Sequence, residues 1–172
     1  MININMRPER KEDAPEIKKL LETIFKGDGE SALVERIRNS QEYIPELSLI
    51  ATFNDELVGF ILMSEIKICS PNVRRTSLTL APLAVKESYR HQGVGTQLML
   101  AALDKASLLG YSSVITLDHH KYYSRFGFEA ATTWEIEAPF NIDSDRFMGI
   151  ELIPKGLSNF SGVVEYPRSW QL

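Results

Sequence analysis

Along the chain, Ile2, Ile4 and Met6 alternate with Asn3 and Asn5, the period of a short half-buried strand that Arg7-Pro8 should end. Asp13 is placed to cap a helix with Pro15 in its first turn. Ile17, Leu20, Leu21, Ile24 and Phe25 follow at helical spacing, and Gly27 and Gly29 should stop that helix. Leu33, Val34 and Ile37 mark a shorter second helix. Residues 47–53 and 56–68 read as strands, joined at Asn54-Asp55 by a tight turn. Residues 76–85 read as the third strand of a meander, and Pro82, which has no donor for a ladder, predicts a bulge or local splay there.

A polar stretch, 86–92, leads to Gly93-Val94-Gly95 and a helix with Leu98, Ala101, Ala102, Leu103 and Leu109 on its apolar face, stopped at Gly110. Residues 112–117 form a compact apolar strand, 121–126 one short helix ended by Gly127, and 147–153 and 162–166 are later strands. The order β-α-α-β-β-β-α-β-α-β is a mixed α/β (α+β) fold, an antiparallel meander followed by a crossover helix into a neighbouring strand.

Composition narrows this little further. With 172 residues, 44% apolar and 24% charged, the chain is expected to be one domain over 1–172, large enough for a core without a metal or disulfide staple. Cys69 is the single cysteine, expected as a packed thiol, and no Cys/His spacing indicates a metal. A net charge of −4 excludes a general nucleic-acid binder. No apolar run is long enough to span a membrane, and no basic segment followed by an apolar one opens the chain, so a cytoplasmic location is expected.

The chemistry concentrates at Leu83-Ala84-Val85 and Arg90-His91-Gln92-Gly93-Val94-Gly95-Thr96. A strand leads into a glycine loop that opens a helix. Helix N-termini carry unpaired N–H groups and partial positive charge, and glycines let a phosphate come close to them. A Walker loop is excluded because its Gly-Lys-Ser/Thr end is missing. A dinucleotide site, with Asp118 as ribose ligand, fits poorly: the turn does not follow its strand directly, and Leu98 stands where the third glycine should be.

Arg90-x-x-Gly93-x-Gly95 resembles the pyrophosphate-binding motif of the GNAT superfamily of N-acetyltransferases. Tyr122-Tyr123-Ser124-Arg125-Phe126-Gly127-Phe128 looks like that superfamily's short helix and Gly-Phe turn, and the tail around Gly162-Val163-Val164-Glu165-Tyr166 resembles a bacterial subgroup of predicted N-acetyltransferases. The resemblance spans nearly the whole chain. It implies a mostly antiparallel sheet flanked by helices and splayed at the coenzyme site. It also implies acetyl-CoA as co-substrate, and transfer of its acetyl group to a primary amine by direct attack on the thioester.

The resemblance assigns Leu83, Ala84 and Val85 to the pantetheine arm, and Arg90 and Gln92 through Thr96 (Gln92, Gly93, Val94, Gly95, Thr96) to the pyrophosphate. It makes Tyr123 the acid that protonates the leaving thiol, with Tyr122 as the competing phenol. The base is not carried by the motif: His119, His120 and Glu65 are candidates by chemistry alone. Arg74-Arg75 is expected as a solvated turn, and Tyr166 and Trp170 as core cover or the wall of an acceptor pocket. The acceptor, a small molecule or a protein, is unnamed by any motif, and the chain is expected as a monomer or homodimer. A non-catalytic acyl-CoA sensor using the same loop is the alternative.

Overall fold

The N-terminal alternation is realised further along than its period suggests. In the computed structural model, which describes residues 1–117 and 120–170, strand β1 is Asn5–Pro8 and contains the proline expected to end it. Pro8 pairs with Leu49 on the sheet's outermost strand, where a missing donor is tolerated. Helix α1 (Ala14–Phe25) buries Ile17, Leu20 and Leu21 as their spacing requires, whereas Phe25 is 37% exposed. Asp13 does not cap it with its side chain. Its carboxylate accepts hydrogen bonds from the Arg7 guanidinium at 2.7 and 3.0 Å and from the Arg10 amide at 2.6 Å. Nor do the two glycines stop the helix: Lys26 takes the left-handed cap conformation, and Gly29 is the first residue of α2 (Gly29–Arg38).

The meander follows as β2 (Ser48–Phe53), β3 (Glu56–Ser70) and β4 (Val73–Val85). Asn54 and Asp55 both have positive φ, the turn geometry that matches the twist of paired strands. Then come α3 (Val94–Leu108), β5 (Ser113–Leu117) and α4 (His120–Ser124). After these lie β6 (Glu129–Ala130), β7 (Ile136–Glu137), β8 (Phe147–Glu151) and β9 (Gly162–Glu165). β6 and β7, two residues each, carry no period that a sequence can show. The strand order is β1-β2-β3-β4-β5-β8-β6, with β9 on β3 and β7 on β9. Of the pairings described, β4–β5 and β7–β9 are parallel and the other five antiparallel, so the mixed sheet is mostly antiparallel, with helices on it as expected.

The chain divides into two compact units, Met1–Met63 with Ala81–Lys105, and Ser64–Leu80 with Ala106–Leu172. In the first, Ile17, Leu21, Ile37, Ile50, Phe60 and Leu98 are fully buried, each burial contributing about 1.5–3 kcal/mol. Glu9 is almost wholly enclosed there. Arg38 donates to it at 2.9 and 2.7 Å, and the Tyr43 hydroxyl at 2.7 Å. Burial opposes ionisation of Glu9, but these donors, Arg38 first, hold its carboxyl below the usual range. In the second unit Ile66, Ile68, Ile115, Phe147, Leu157 and Val164 form the core. Among the described residues no helix is long and apolar enough to cross a membrane.

Candidate functional site

The first unit carries the glycine loop. From β4 the chain passes Lys86 and a 3-10 turn, Glu87–Tyr89, and reaches α3 through residues 90–93. His91 has φ +62° and Gly93 φ +86°. Left-handed residues alternating with ordinary ones turn successive N–H groups toward one side, a concavity that suits an anion. Gly93 can adopt this backbone because it has no Cβ; one added there would also lie 2.5 Å from the Met1 Cγ. The first helical bond runs from the Gln97 amide to the Gly93 carbonyl at 3.0 Å. Helix geometry therefore leaves the N–H groups of Val94 and Gly95 with no carbonyl one turn back, at the positive end of the α3 dipole. Arg90 is exposed beside them, and Gln92 and Thr96 are half-buried.

The strand that feeds this loop changes character at Pro82. The β4–β5 ladder has the rungs Leu78↔Val114, Thr79↔Ile115 and Leu80↔Thr116. The Thr116 hydroxyl donates to the Leu80 carbonyl at 3.3 Å where the ladder ends. β4 itself continues to Val85, through Pro82, which brings no N–H. Ala84 is buried, and Leu83 and Val85 are half-buried.

Three features that hold this segment have only faint traces in the sequence. The Ile2 amide donates to the Gln92 carbonyl at 3.0 Å, and the Gln97 side-chain amide donates to the Ile2 carbonyl at 2.9 Å, so the N-terminal segment is tied to the loop. Glu56 takes an ion pair from Lys86 and a 2.6 Å hydrogen bond from the Tyr89 hydroxyl, fixing the approach to the loop. These two partners, Lys86 first, hold the Glu56 carboxyl below its usual range. Finally, a Cβ on Gly59 would lie 2.8 Å from Leu98 and 2.9 Å from Val94, so α3 starts where it does because β3 lacks a side chain there. An isolated glycine inside a strand pattern was the available signal.

The second unit carries the other candidates. Tyr123 is 8% exposed, its ring edge-to-face with Tyr122 at 5.4 Å and with Phe128 at 5.5 Å. Tyr122 is half-buried, with the Arg125 guanidinium 5.2 Å from its ring centroid. Burial raises the Tyr122 phenol above its ordinary value, and Arg125 opposes that only in part. Glu65 stands one position from Ile66 on β3, so it leaves the sheet on the face opposite that core residue. Its carboxylate accepts a hydrogen bond from the Tyr111 hydroxyl. His119, like Asp118, lies outside the described residues, and of His120 only the backbone is described.

Arg74 and Arg75 are more than a solvated turn: Arg74 pairs with Glu165, and Arg75 stacks 5.7 Å over Phe160. Cys69 is half-buried, its sulfur 3.8 Å from Glu165 Oε2. Among the described residues no group of His, Cys, Asp and Glu could hold a metal ion.

Four similarities bear on what such an arrangement does. The family model described as acetyltransferase (GNAT) family matches residues 14–128. The uncharacterized N-acetyltransferase YhbS of Escherichia coli (strain K12) is 34% identical over 155 residues, covering 90% of both chains. The crystal structure of the E. coli GNAT family N-acetyltransferase YhbS, in complex with CoA, superposes with a TM-score of 0.91 at 31% identity, over 100% of this chain and 94% of that one. A GNAT family acetyltransferase from Brucella melitensis, crystallised with acetyl-CoA, shares the fold with a TM-score of 0.79 at 24% identity, over 98% of this chain and 99% of its own.

Proposed function

Because the chain belongs to the acetyltransferase (GNAT) family, we propose that it moves the acetyl group of acetyl-coenzyme A to a primary amine, as a single catalytic domain over 1–172. The observation that carries this is the glycine loop, whose left-handed His91 and Gly93 lead into the start of α3, where the N–H groups of Val94 and Gly95 have no carbonyl one turn back. Those donors suit a pyrophosphate, to which Arg90 adds charge and Thr96 a hydroxyl. A strand that runs on past the last rung of its ladder to Leu83, Ala84 and Val85 suits the amide-bearing pantetheine arm, which can pair with backbone as a strand does. CoA bound to the E. coli relative supports the same assignment.

Acetyl-CoA supplies an activated thioester carbon. The acceptor amine must reach it neutral. An ordinary ammonium, with pKa about 10.4, is neutral roughly once in 2,500 molecules at pH 7, a cost of about 4.6 kcal/mol. Desolvation, or a base among His119 and His120, lowers that cost. Glu65 is the poorer base because Tyr111 already occupies its carboxylate. The amine nitrogen forms its bond to the acetyl carbon as the carbon–sulfur bond breaks. The sulfur leaves with the electron pair and takes its proton from the Tyr123 hydroxyl, which is replenished by the proton shed from the new amide nitrogen. An ammonium and acetyl-CoA thus give amide, free thiol and one proton to solvent.

The test is a thermal-shift panel of acetyl-CoA, CoA, NAD and ATP, followed by thiol release with a pool of amines. At a hundredfold excess over Kd a native-state ligand adds about 2.7 kcal/mol, or roughly 5–10 °C for a chain this long. A shift with acetyl-CoA and CoA alone, with amine-dependent thiol release, is the expected result. A shift with NAD alone overturns the proposal.

A further inference from the structure

The second unit holds a cavity of about 510 Å³ at the end of β5. Its size is that of a small-molecule pocket, about 300–1,000 Å³. Leu117, the last residue of β5, Val164, Phe140, Tyr166 and Trp170 make walls that are mostly apolar. Phe140 stacks on Tyr166 at 6.0 Å, and Tyr166 packs on Trp170 at 5.2 Å, giving a continuous aromatic surface. The chain leaves this pocket at Leu117 for the segment that ends in α4, which carries Tyr123.

One acidic residue, Glu165, is also among those around the cavity. Its Oε1 takes Arg74, and among the described residues its Oε2 has the Cys69 sulfur at 3.8 Å, a weak donor that an ammonium would displace. Resting on the proposed acetyl transfer, we infer that this is the acceptor pocket, and that its substrate is a singly charged primary amine carried on an aromatic or branched apolar body. The body fills the aromatic walls, and its ammonium, docked at Glu165, is held against ring faces that attract a cation. A polyamine or an amino sugar fits badly: its further charges would lie against Leu117, Val164 and the ring faces, and among the described lining residues Glu165 is the single carboxylate.

The experiment uses the full chain and 2-phenylethylamine, with spermidine, kanamycin and a lysine peptide as competitors. Thiol release is measured beside calorimetric titration of each amine into the CoA-saturated protein. Phenylethylamine should be preferred in kcat/KM by about tenfold or more. Phe140, 47% exposed on its loop, can be replaced without loss of core. Phe140→Ala should lower kcat/KM for phenylethylamine by about tenfold, with the KM for acetyl-CoA and the melting temperature unchanged, and Phe140→Tyr should restore it. Preference for spermidine, kanamycin or the peptide, or no effect of Phe140→Ala, overturns the inference while acetyl transfer stands. Neither turnover nor heat with phenylethylamine also overturns it, and the separate CoA shift then shows whether acetyl transfer falls with it.

Discussion

In the first unit, residues 90–96 offer a ligand mainly backbone: N–H groups, two left-handed residues and a helix start. In the second, the cavity at Tyr166 offers side chains, drawn from β3, the end of β5, the loop before β8, β9 and the C-terminal turn. On the proposed function, the backbone site would hold the phosphates of the coenzyme, the one substrate that is the same whatever the acceptor. A side-chain site can be retuned one residue at a time, as acceptor choice requires. The two should therefore answer differently to substitution, the loop by losing its ligand altogether and the pocket by changing its preference.

The sharpest way to break that contrast is at Gly93. At φ +86° any other residue is strained, and a branched side chain would push into Met1 and fill the cradle. Gly93→Val should abolish the acetyl-CoA thermal shift while circular dichroism still reports the folded chain. A retained shift would mean that the loop does not hold the coenzyme. Tyr123→Phe comes next. Removing a positioned acid costs about a hundredfold in turnover. It should leave the KM for acetyl-CoA unchanged, because the buried ring still packs on Tyr122 and Phe128. Equal kcat in saturating substrates would remove Tyr123 from the chemistry.

The same contrast governs what could be read from the chain before its fold was known. The loop's place was legible because a tight turn into a helix favours glycine, and Gly93 does take a left-handed φ of +86° immediately before α3. Helix α1 and the long strands were legible from period, down to Ile17, Leu20 and Leu21. What failed was local punctuation. Lys26, not Gly27, turned the chain, and Pro8 sat inside a strand because its partner lay on one side only.

The pocket was illegible for a different reason. Cys69 and Glu165 are brought near each other by the pairing of β9 with β3, Leu117, Phe140 and Trp170 come from other elements, and nothing in the spacing of the five records their meeting. The tie from Gln97 to Ile2 is likewise a contact of distant residues. Its loss tests whether the loop needs support beyond its own backbone. Gln97→Ala deletes one hydrogen bond, worth about 1 kcal/mol, so the Kd for acetyl-CoA should rise about fivefold with kcat unchanged. An unchanged Kd, measured by calorimetry, would make the loop self-sufficient.

The smallest expected effect separates charge from packing in the pocket. Arg74 and Glu165 are 60% and 55% exposed, so solvent screens the pair and Glu165→Gln should hardly move the melting temperature. If the carboxylate meets the acceptor's ammonium, the same change should raise the acceptor KM about threefold at low salt and leave the KM for acetyl-CoA alone. The difference should shrink toward 1 M salt, where the Debye length falls to about 3 Å. A rise that ignores salt would instead mean that the side chain shapes the wall. No rise at all would assign recognition entirely to the aromatic surface, and phenylethylamine would then bind no better than its uncharged isosteres.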